Sequence, residues 1–403
     1  MPQSRIDVID ALRGFALAGV GLVHFLDRFA GGMVAEGTVA AIDHGPLDLL
    51  FRGLLWVSFG KFFALFSLLY GVSFGLMRRS AGEADAAFEA RLLWRAVILA
   101  GFGLLHQCFY RGDILLVYAS LTPLLVVLYR MPARWLLGVA ALCFLSVPRL
   151  VSFALWGEGP TVGPAPVLDP AHSYAADYTE LLRGGSFVDL ARVHLTSGLA
   201  LKADLYLGIL GRYAYTFGYF LTGLWLVRTG VFRNSDILSR YGKLLTRTAL
   251  TLLGGATALM LLLFSQVAQP IDWSGWLPVV ALNVYDWTNV AVAVLLLVWF
   301  VDRYRTGGGR RVLSLFVPYG RMALTNYVGM SVIGTFLLFD WGAGFFFELR
   351  TSQLALVAVA VIAVQMAASA LWLSYFRHGP LEWVWRSLTD LRGARLRLAT
   401  VNT

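Results

Sequence analysis

Apolar residues run along this chain in long, nearly unbroken stretches, separated by short clusters of arginine, aspartate, glycine and proline. About ten stretches are long enough to cross a ~30 Å hydrocarbon layer as helices. They lie near 11–30, 50–77, 92–110, 113–129, 135–155, 205–227, 244–264, 277–301, 320–340 and 353–376. The pattern predicts an all-α polytopic membrane helical bundle of about ten transmembrane helices. One connection is long. It opens on Pro160, Pro164, Pro166 and Pro170, which resist regular structure, and continues through Tyr178-Thr179-Glu180-Leu181-Leu182 into a mixed stretch able to lie on a membrane surface. The chain therefore divides into five spans over 1–155, an extracytoplasmic loop over 156–204, five spans over 205–376 and a tail over 377–403. That loop either caps a site or merely links the two halves. In the tail, Pro380-Leu381-Glu382-Trp383-Val384-Trp385-Arg386 reads as an amphipathic helix at the cytoplasmic interface.

Composition agrees: 58% of the residues are hydrophobic and 14% charged, against about a quarter charged in a soluble domain. The net charge of +9 does not point to nucleic acid, because the basic residues sit in short loops and form no groove-sized patch. They occupy every second connection, at Arg78, Arg79, Arg91 and Arg95, at Arg130 and Arg134, from Arg228 to Arg247, from Arg303 to Arg311, and in the tail. The loops between are acidic or neutral, with Asp27, Glu36, Asp43 and Asp48 after the first span and Asp340 and Glu348 after the ninth. The positive-inside rule then puts both termini in the cytoplasm. Cys108 and Cys143 lie within apolar stretches and suggest neither a disulfide framework nor a metal site. The first stretch carries Arg13 and His24 and reads as a retained helix, not a cleaved signal. Gly307-Gly308-Gly309-Arg310-Arg311 lacks the lysine and hydroxyl of a phosphate-binding loop. There is no paired-histidine zinc motif and no serine elbow.

The informative residues are the polar ones inside apolar stretches. In the first, Arg13 and His24 are eleven residues apart, about 16 Å of helix rise, which sets His24 near mid-membrane. Lys61 lies about 18 Å of rise from either end of the second span, too deep for easy snorkelling; it needs a carboxylate, a wet cavity or an anion. His106 and Asp113 flank the turn between the third and fourth spans. Asp113 is suited to capping a helix, and a nearby carboxylate can hold His106 as a general base. Asn283, Asp286 and Asn289 share one helical face, lining a cavity or gluing helices, and Arg212 is a candidate partner of Asp286 or of an acidic loop residue. Arg321 sits at a cytoplasmic mouth, either as a topology determinant or, with Arg13, as a phosphate clamp.

Asp10-Ala11-Leu12-Arg13-Gly14-Phe15, Gly112-Asp113-Ile114-Leu115, Gly320-Arg321-Met322-Ala323-Leu324-Thr325-Asn326-Tyr327 and Gly379-Pro380-Leu381-Glu382-Trp383-Val384-Trp385-Arg386 resemble the signatures of the YeiB-like membrane proteins, a domain-of-unknown-function family. That family is similar to the transmembrane acyltransferases, which include acyltransferase family 3 and the lysosomal heparan glucosaminide N-acetyltransferase. The resemblance implies an integral protein of a bacterial inner membrane that moves an acetyl or short acyl group from cytoplasmic acyl-CoA to a hydroxyl or amine of a sugar, lipid-linked or other small acceptor. By the same resemblance Asp10 and His24 are candidate catalytic residues, with His24 the general base, and Arg13 a candidate donor-binding residue; the reading of the residues adds His106 and Asp113 to orient the acceptor, and Lys61 and Arg321, with Asn326 of the ninth-span motif, on the donor side. His24 departs from the asparagine more usual in YeiB-like chains toward the catalytic pattern of the O-acyltransferases; His44 is the alternative base by analogy with the heparan enzyme. The other class of function that buried ionisable groups would serve is a transporter or flippase without covalent chemistry.

Overall fold

The computed structural model describes residues 7–31, 37–80, 85–156, 174–207, 211–231, 235–266 and 275–390, with Leu396. Among them every regular element is helical. The first half holds α1 (Asp7–Leu26), α2 (Thr38–Ile42), α3 (Pro46–Ser58), α4 (Lys61–Ser80), α5 (Asp85–Gln107), α6 (Leu115–Leu128), α7 (Ala133–Phe144) and α8 (Val147–Trp156). The long connection contributes α9 (Tyr174–Gly184), α10 (Phe187–Leu195) and α11 (Ser197–Leu207). Its proline-rich opening lies outside the described residues. Then come α12 (Arg212–Arg228), α13 (Ser235–Ser265), α14 (Trp276–Arg305), α15 (Gly307–Leu313), α16 (Phe316–Arg321), α17 (Ala323–Leu338), α18 (Thr351–Tyr375) and α19 (Pro380–Asp390).

Five of the described helical stretches are long and apolar enough to cross a membrane: Asp7–Leu26, Pro46–Arg79, Tyr241–Leu263, Trp276–Arg305 and Thr351–Tyr375. The pair α7 and α8, bent by 49°, makes a sixth if it is one span. The remaining predicted spans fall on helices that are short or charged at one end. α6 and α17, of 14 and 16 residues, rise only about 21 and 24 Å, and α5 begins with Asp85, Glu89, Arg91 and Arg95. The bundle is apolar on its outside: Leu356, Val359, Val364 and Leu371 of α18 are largely exposed, while Lys61, His106, Asp113, Arg149, Lys202 and Asp286 are buried. That inversion suits a bilayer as solvent.

α1 is the most enclosed of the long helices and packs against α3, α4, α14, α16, α17 and α18. Glycine makes this possible. A Cβ on Gly14 would stand 2.2 Å from the Phe316 carbonyl oxygen, and one on Gly320 1.9 Å from that of Asp10, so α1 and α16 cross with their backbones touching. α4 and α12 cross in the same way at Gly71 and Gly223.

The second apolar stretch is not one helix. α3 ends at Ser58, Gly60 adopts φ +82°, and α4 begins at Lys61. Lys61 therefore does not project from the middle of a continuous helix; it heads a new one, inside the apolar layer.

Two helices are finished by carboxylates from distant parts of the chain. At the amino end of α18, Asp43 accepts the Thr351 N–H (2.9 Å) and hydroxyl (2.8 Å), and Asp48 the Ser352 N–H (3.0 Å). At that of α17, Glu382 accepts the Leu324 N–H (2.7 Å), the Thr325 N–H (3.1 Å) and the Thr325 hydroxyl (2.6 Å). Glu382 is on α19, which the sequence predicts as an amphipathic tail. It docks on α5, where Arg95 lies over the Trp385 ring (4.3 Å) and Trp94 donates to the Leu388 carbonyl (3.0 Å).

Candidate functional site

The turn after α5 brings Asp113 to the head of α6, where its two oxygens accept the Leu115 and Leu116 N–H groups, each at 3.0 Å. The same carboxylate lies 2.8 Å from His106 Nδ1 and 3.6 Å from Lys202 Nζ. Asp113 is thus both a helix cap and one end of an Asp–His dyad. Lys202, on α11, also donates to the Asp113 carbonyl (2.7 Å) and to Gln107 Oε1. Gln107 in turn donates to the His194 carbonyl (3.0 Å) and accepts from His194 Nδ1 (3.1 Å). With its proton on Nδ1, His194 accepts the Tyr178 hydroxyl at Nε2 (2.9 Å). Burial, with the Arg111 guanidinium second, pushes its pKa down to about 3. Neutral His194 and Lys202 come from the long connection, which packs inward as part of the site.

His24, near the end of α1, approaches from the other side. Its Nδ1 is 3.0 Å from the Tyr110 hydroxyl, and its ring is 4.8 Å from that of Tyr110 and 6.5 Å from that of Tyr327. The His106 ring is 4.8 Å from Tyr327 and 6.2 Å from Tyr110. Two imidazoles therefore flank one pair of phenols, and the Nε2 atom of each is covered and has no hydrogen-bond partner. With Nδ1 donating to the Asp113 carboxylate, the neutral form of the His106 ring presents Nε2 as an acceptor toward the phenols.

The other sequence candidates lie apart. Asp10 is buried and pairs with Arg13 (2.7 Å), whose second amino group donates to Ser73 (2.9 Å); 22% of the Arg13 side chain stays open. α1 is continuous between Arg13 and His24, so the ~16 Å rise separates them. Arg321 donates to the Arg377 carbonyl (3.4 Å). Asn326 is enclosed in a network joining α16, α17 and α18, donating to the Tyr319 carbonyl (3.1 Å) and to Ser369 (2.8 Å). Lys61 is twelve residues from Ser73 on α4, about 18 Å, so it does not share a clamp with Arg13. It contacts Thr288 (3.3 Å) and the Tyr285 ring (4.6 Å). Asp286 pairs with Arg149 of α8 (2.8 Å), not with Arg212, which lies over Phe59 (5.6 Å). His44 is exposed and only its backbone N–H is engaged, by Asp48 (3.3 Å). No three His, Cys, Asp or Glu side chains are grouped as metal ligands would be among the described residues.

Lys202, His194, Gln107, Tyr110 and Arg149 belong to these clusters without having been singled out in the sequence. The signal for the first two was a lysine and a histidine on otherwise apolar faces within the long connection.

Residues 226–392 match the model of a family described as a protein of unknown function, DUF418. The chain is similar to the uncharacterized protein YxaH of Bacillus subtilis (strain 168), 26% identical over 97% of this chain and 96% of the relative. It is also similar to an uncharacterized 39.9 kDa protein in the amylase 3' region of Bacillus acidopullulyticus, 28% identical over 96% and 94%. A shorter match, 47% identical over 19% of each chain, is to the uncharacterized protein YeiB of Escherichia coli (strain K12). Residues 226–392, which include the two later motifs, are thus similar to the family whose signatures the sequence motifs resemble.

Proposed function

We propose that the protein is a membrane-embedded acyltransferase, crossing a bacterial inner membrane about ten times with both termini in the cytoplasm, and that His106 is its base. The observation that carries this reading is the Asp113–His106 pair at 2.8 Å with a covered, unpartnered Nε2 beside a second imidazole. His106 Nε2 would take the proton of an acceptor hydroxyl or amine. The acceptor oxygen or nitrogen then bonds to the acyl carbonyl carbon, the carbon–sulfur bond breaks, and the thiolate of coenzyme A leaves and recovers the proton from the imidazolium. With Tyr110 donating to its Nδ1, His24 carries a proton on Nε2 and would donate to the carbonyl oxygen as charge develops there. His24 is then the electrostatic partner, and the base role passes to the histidine that has a carboxylate. Acyl-CoA, with acetyl-CoA as the simplest donor, is implied by the family resemblance. Arg13 and Arg321, at the basic end of the bundle, would meet its phosphates, and a ~16 Å reach to His24 suits a charged head on a thin arm.

The test is transfer from radiolabelled acetyl-CoA by the reconstituted full chain to a panel of hydroxyl and amine acceptors. His106→Ala and Asp113→Asn should each lower kcat by roughly 10²- to 10⁴-fold, and acetyl-CoA should raise the melting temperature of the parent by ligand linkage. Substrate movement in sealed vesicles with no acyl turnover and no acetyl-CoA stabilisation would instead establish the transport reading.

A further inference from the structure

The break in the second apolar stretch opens a second polar centre, which the transfer reading does not use. A helix begins with amide N–H groups that have no acceptor in their own helix, and α4 begins at Lys61, inside the bundle. Ala64 is the first of its residues whose N–H is bonded back, to the Gly60 carbonyl (3.0 Å). The left-handed Gly60 lets the chain turn here and lie against α14: a Cβ on it would stand 3.0 Å from both amide atoms of Asn289. A small cavity with room for about one water-sized species lies at this point, lined by Gly60, Phe63, Arg212, Tyr219, Asp286 and Asn289.

Charge around the cavity does not balance. Asp286 is already bonded to Arg149 (2.8 Å) and accepts from Asn289 (3.3 Å). Lys61 and Arg212 have aromatic rings and one hydroxyl for neighbours and no carboxylate within ion-pair distance among the described residues. Three cations thus face one carboxylate in a layer where an uncompensated charge is costly. Independently, the Tyr219 hydroxyl has no hydrogen-bond partner, although the residue is only 4% exposed and lines the cavity. A buried hydroxyl without a partner is destabilising. Among the described residues, free amide N–H groups, an unpartnered O–H and two cations without a carboxylate all lack the same thing: a small negative acceptor. A metal cation would be repelled, and a water would satisfy the hydroxyl while leaving the charges.

We propose that the Gly60 break is a binding site for a small monovalent anion, a halide or a carboxylate group, held by Arg212, by Lys61 with the amide end of α4, and by the Tyr219 hydroxyl. Broken helices whose amino ends meet anionic groups at membrane depth have this physical logic.

The experiment is thermal unfolding of the full chain in detergent, titrated with sodium bromide or sodium acetate, ionic strength being held constant with sodium methanesulfonate, a larger anion and a much weaker hydrogen-bond acceptor than acetate. The melting temperature should rise and saturate. A response to bromide identifies a free halide; a response to acetate alone identifies the carboxylate of a larger solute. Tyr219→Phe preserves shape and removes one donor, so it should bind about tenfold more weakly; Arg212→Gln should abolish the response. Should Arg212→Gln fail to fold, Tyr219→Phe decides alone. Equal melting temperatures in all three salts, or a Tyr219→Phe protein that responds like its parent, would overturn the proposal. Neither outcome bears on the acetyl-CoA assay.

Discussion

Replacing Gly320 by alanine tests the crossing on which the bundle is built. The added carbon would sit 1.9 Å from the Asp10 carbonyl oxygen and 2.6 Å from the Gly14 nitrogen, where ordinary contact begins at 3.4 Å. The deficit is 3.4 − 1.9 = 1.5 Å. Both neighbours are backbone, so no side chain can rotate away, and α1 and α16 must part by about that distance. The Arg13 donation to the Gly320 carbonyl, already 3.5 Å long, is then lost. Overpacking of this kind costs about 1–3 kcal/mol, and the upper end applies because the strain falls on two helices. Unfolding of the full chain in mixed micelles, followed by circular dichroism, measures it. Gly101→Ala is the control. That glycine lies in α5 with nothing within 4 Å of the added carbon, so it should stabilise by up to about 1 kcal/mol through helix propensity. Gly14→Ala, whose carbon meets the Phe316 carbonyl at 2.2 Å, reports the same separation, so the double variant should lose less than the sum of the singles. A Gly320→Ala protein within about 0.5 kcal/mol of its parent would refute the backbone contact.

Two further outcomes follow from groups outside the spans. Glu382→Ala removes the carboxylate that takes two amide N–H groups and a hydroxyl at the head of α17; it should cost about 2 kcal/mol, and an unchanged unfolding midpoint would mean that solvent caps the helix equally well. His194 has a folded pKa of about 3, below its usual 6.5, so the unfolded chain takes up a proton that the folded chain refuses. Its contribution to stability is therefore complete above pH 6.5 and is lost as the pH falls toward 3. The melting temperature should drop more steeply between pH 6.5 and 4 in the parent than in His194→Gln; identical slopes would show that this imidazole is not held neutral.

Much of the architecture could be read from the order of apolar stretches, because each had to become a helix to satisfy its own backbone in lipid. Asp113 was legible as a cap, since a carboxylate following a glycine turn has few other uses at a helix start. The shared face of Asn283, Asp286 and Asn289 followed from spacing, but the partner of Asp286 did not. Arg149 and Arg212 lie at comparable depths, and only the packing of α8 against α14 distinguishes them. Gly60 was hidden within an unbroken apolar run, where nothing local separates a glycine that packs from one that turns. The motifs around Arg13 and Arg321 drew attention to charge, whereas the glycine beside each arginine makes the helix contact. The resemblance favours His24 over His44 as base; the proposal that His106 takes that role rests on its 2.8 Å contact with Asp113, since a candidate base is recognised by what orients it.

The two carboxylates at the head of α18 set an order of events. Asp43 and Asp48 are synthesised early, yet the amides they receive belong to residues some three hundred positions later. Asp43 lies 3.8 Å from Arg28, and Asp48 accepts the Gly45 N–H (3.1 Å), so both acids have early partners, but their bonds to α18 wait until Thr351 and Ser352 leave the ribosome. That clasp between the first tenth or so of the chain and α18 is thus fastened late in translation, and a chain truncated before Thr351 lacks it.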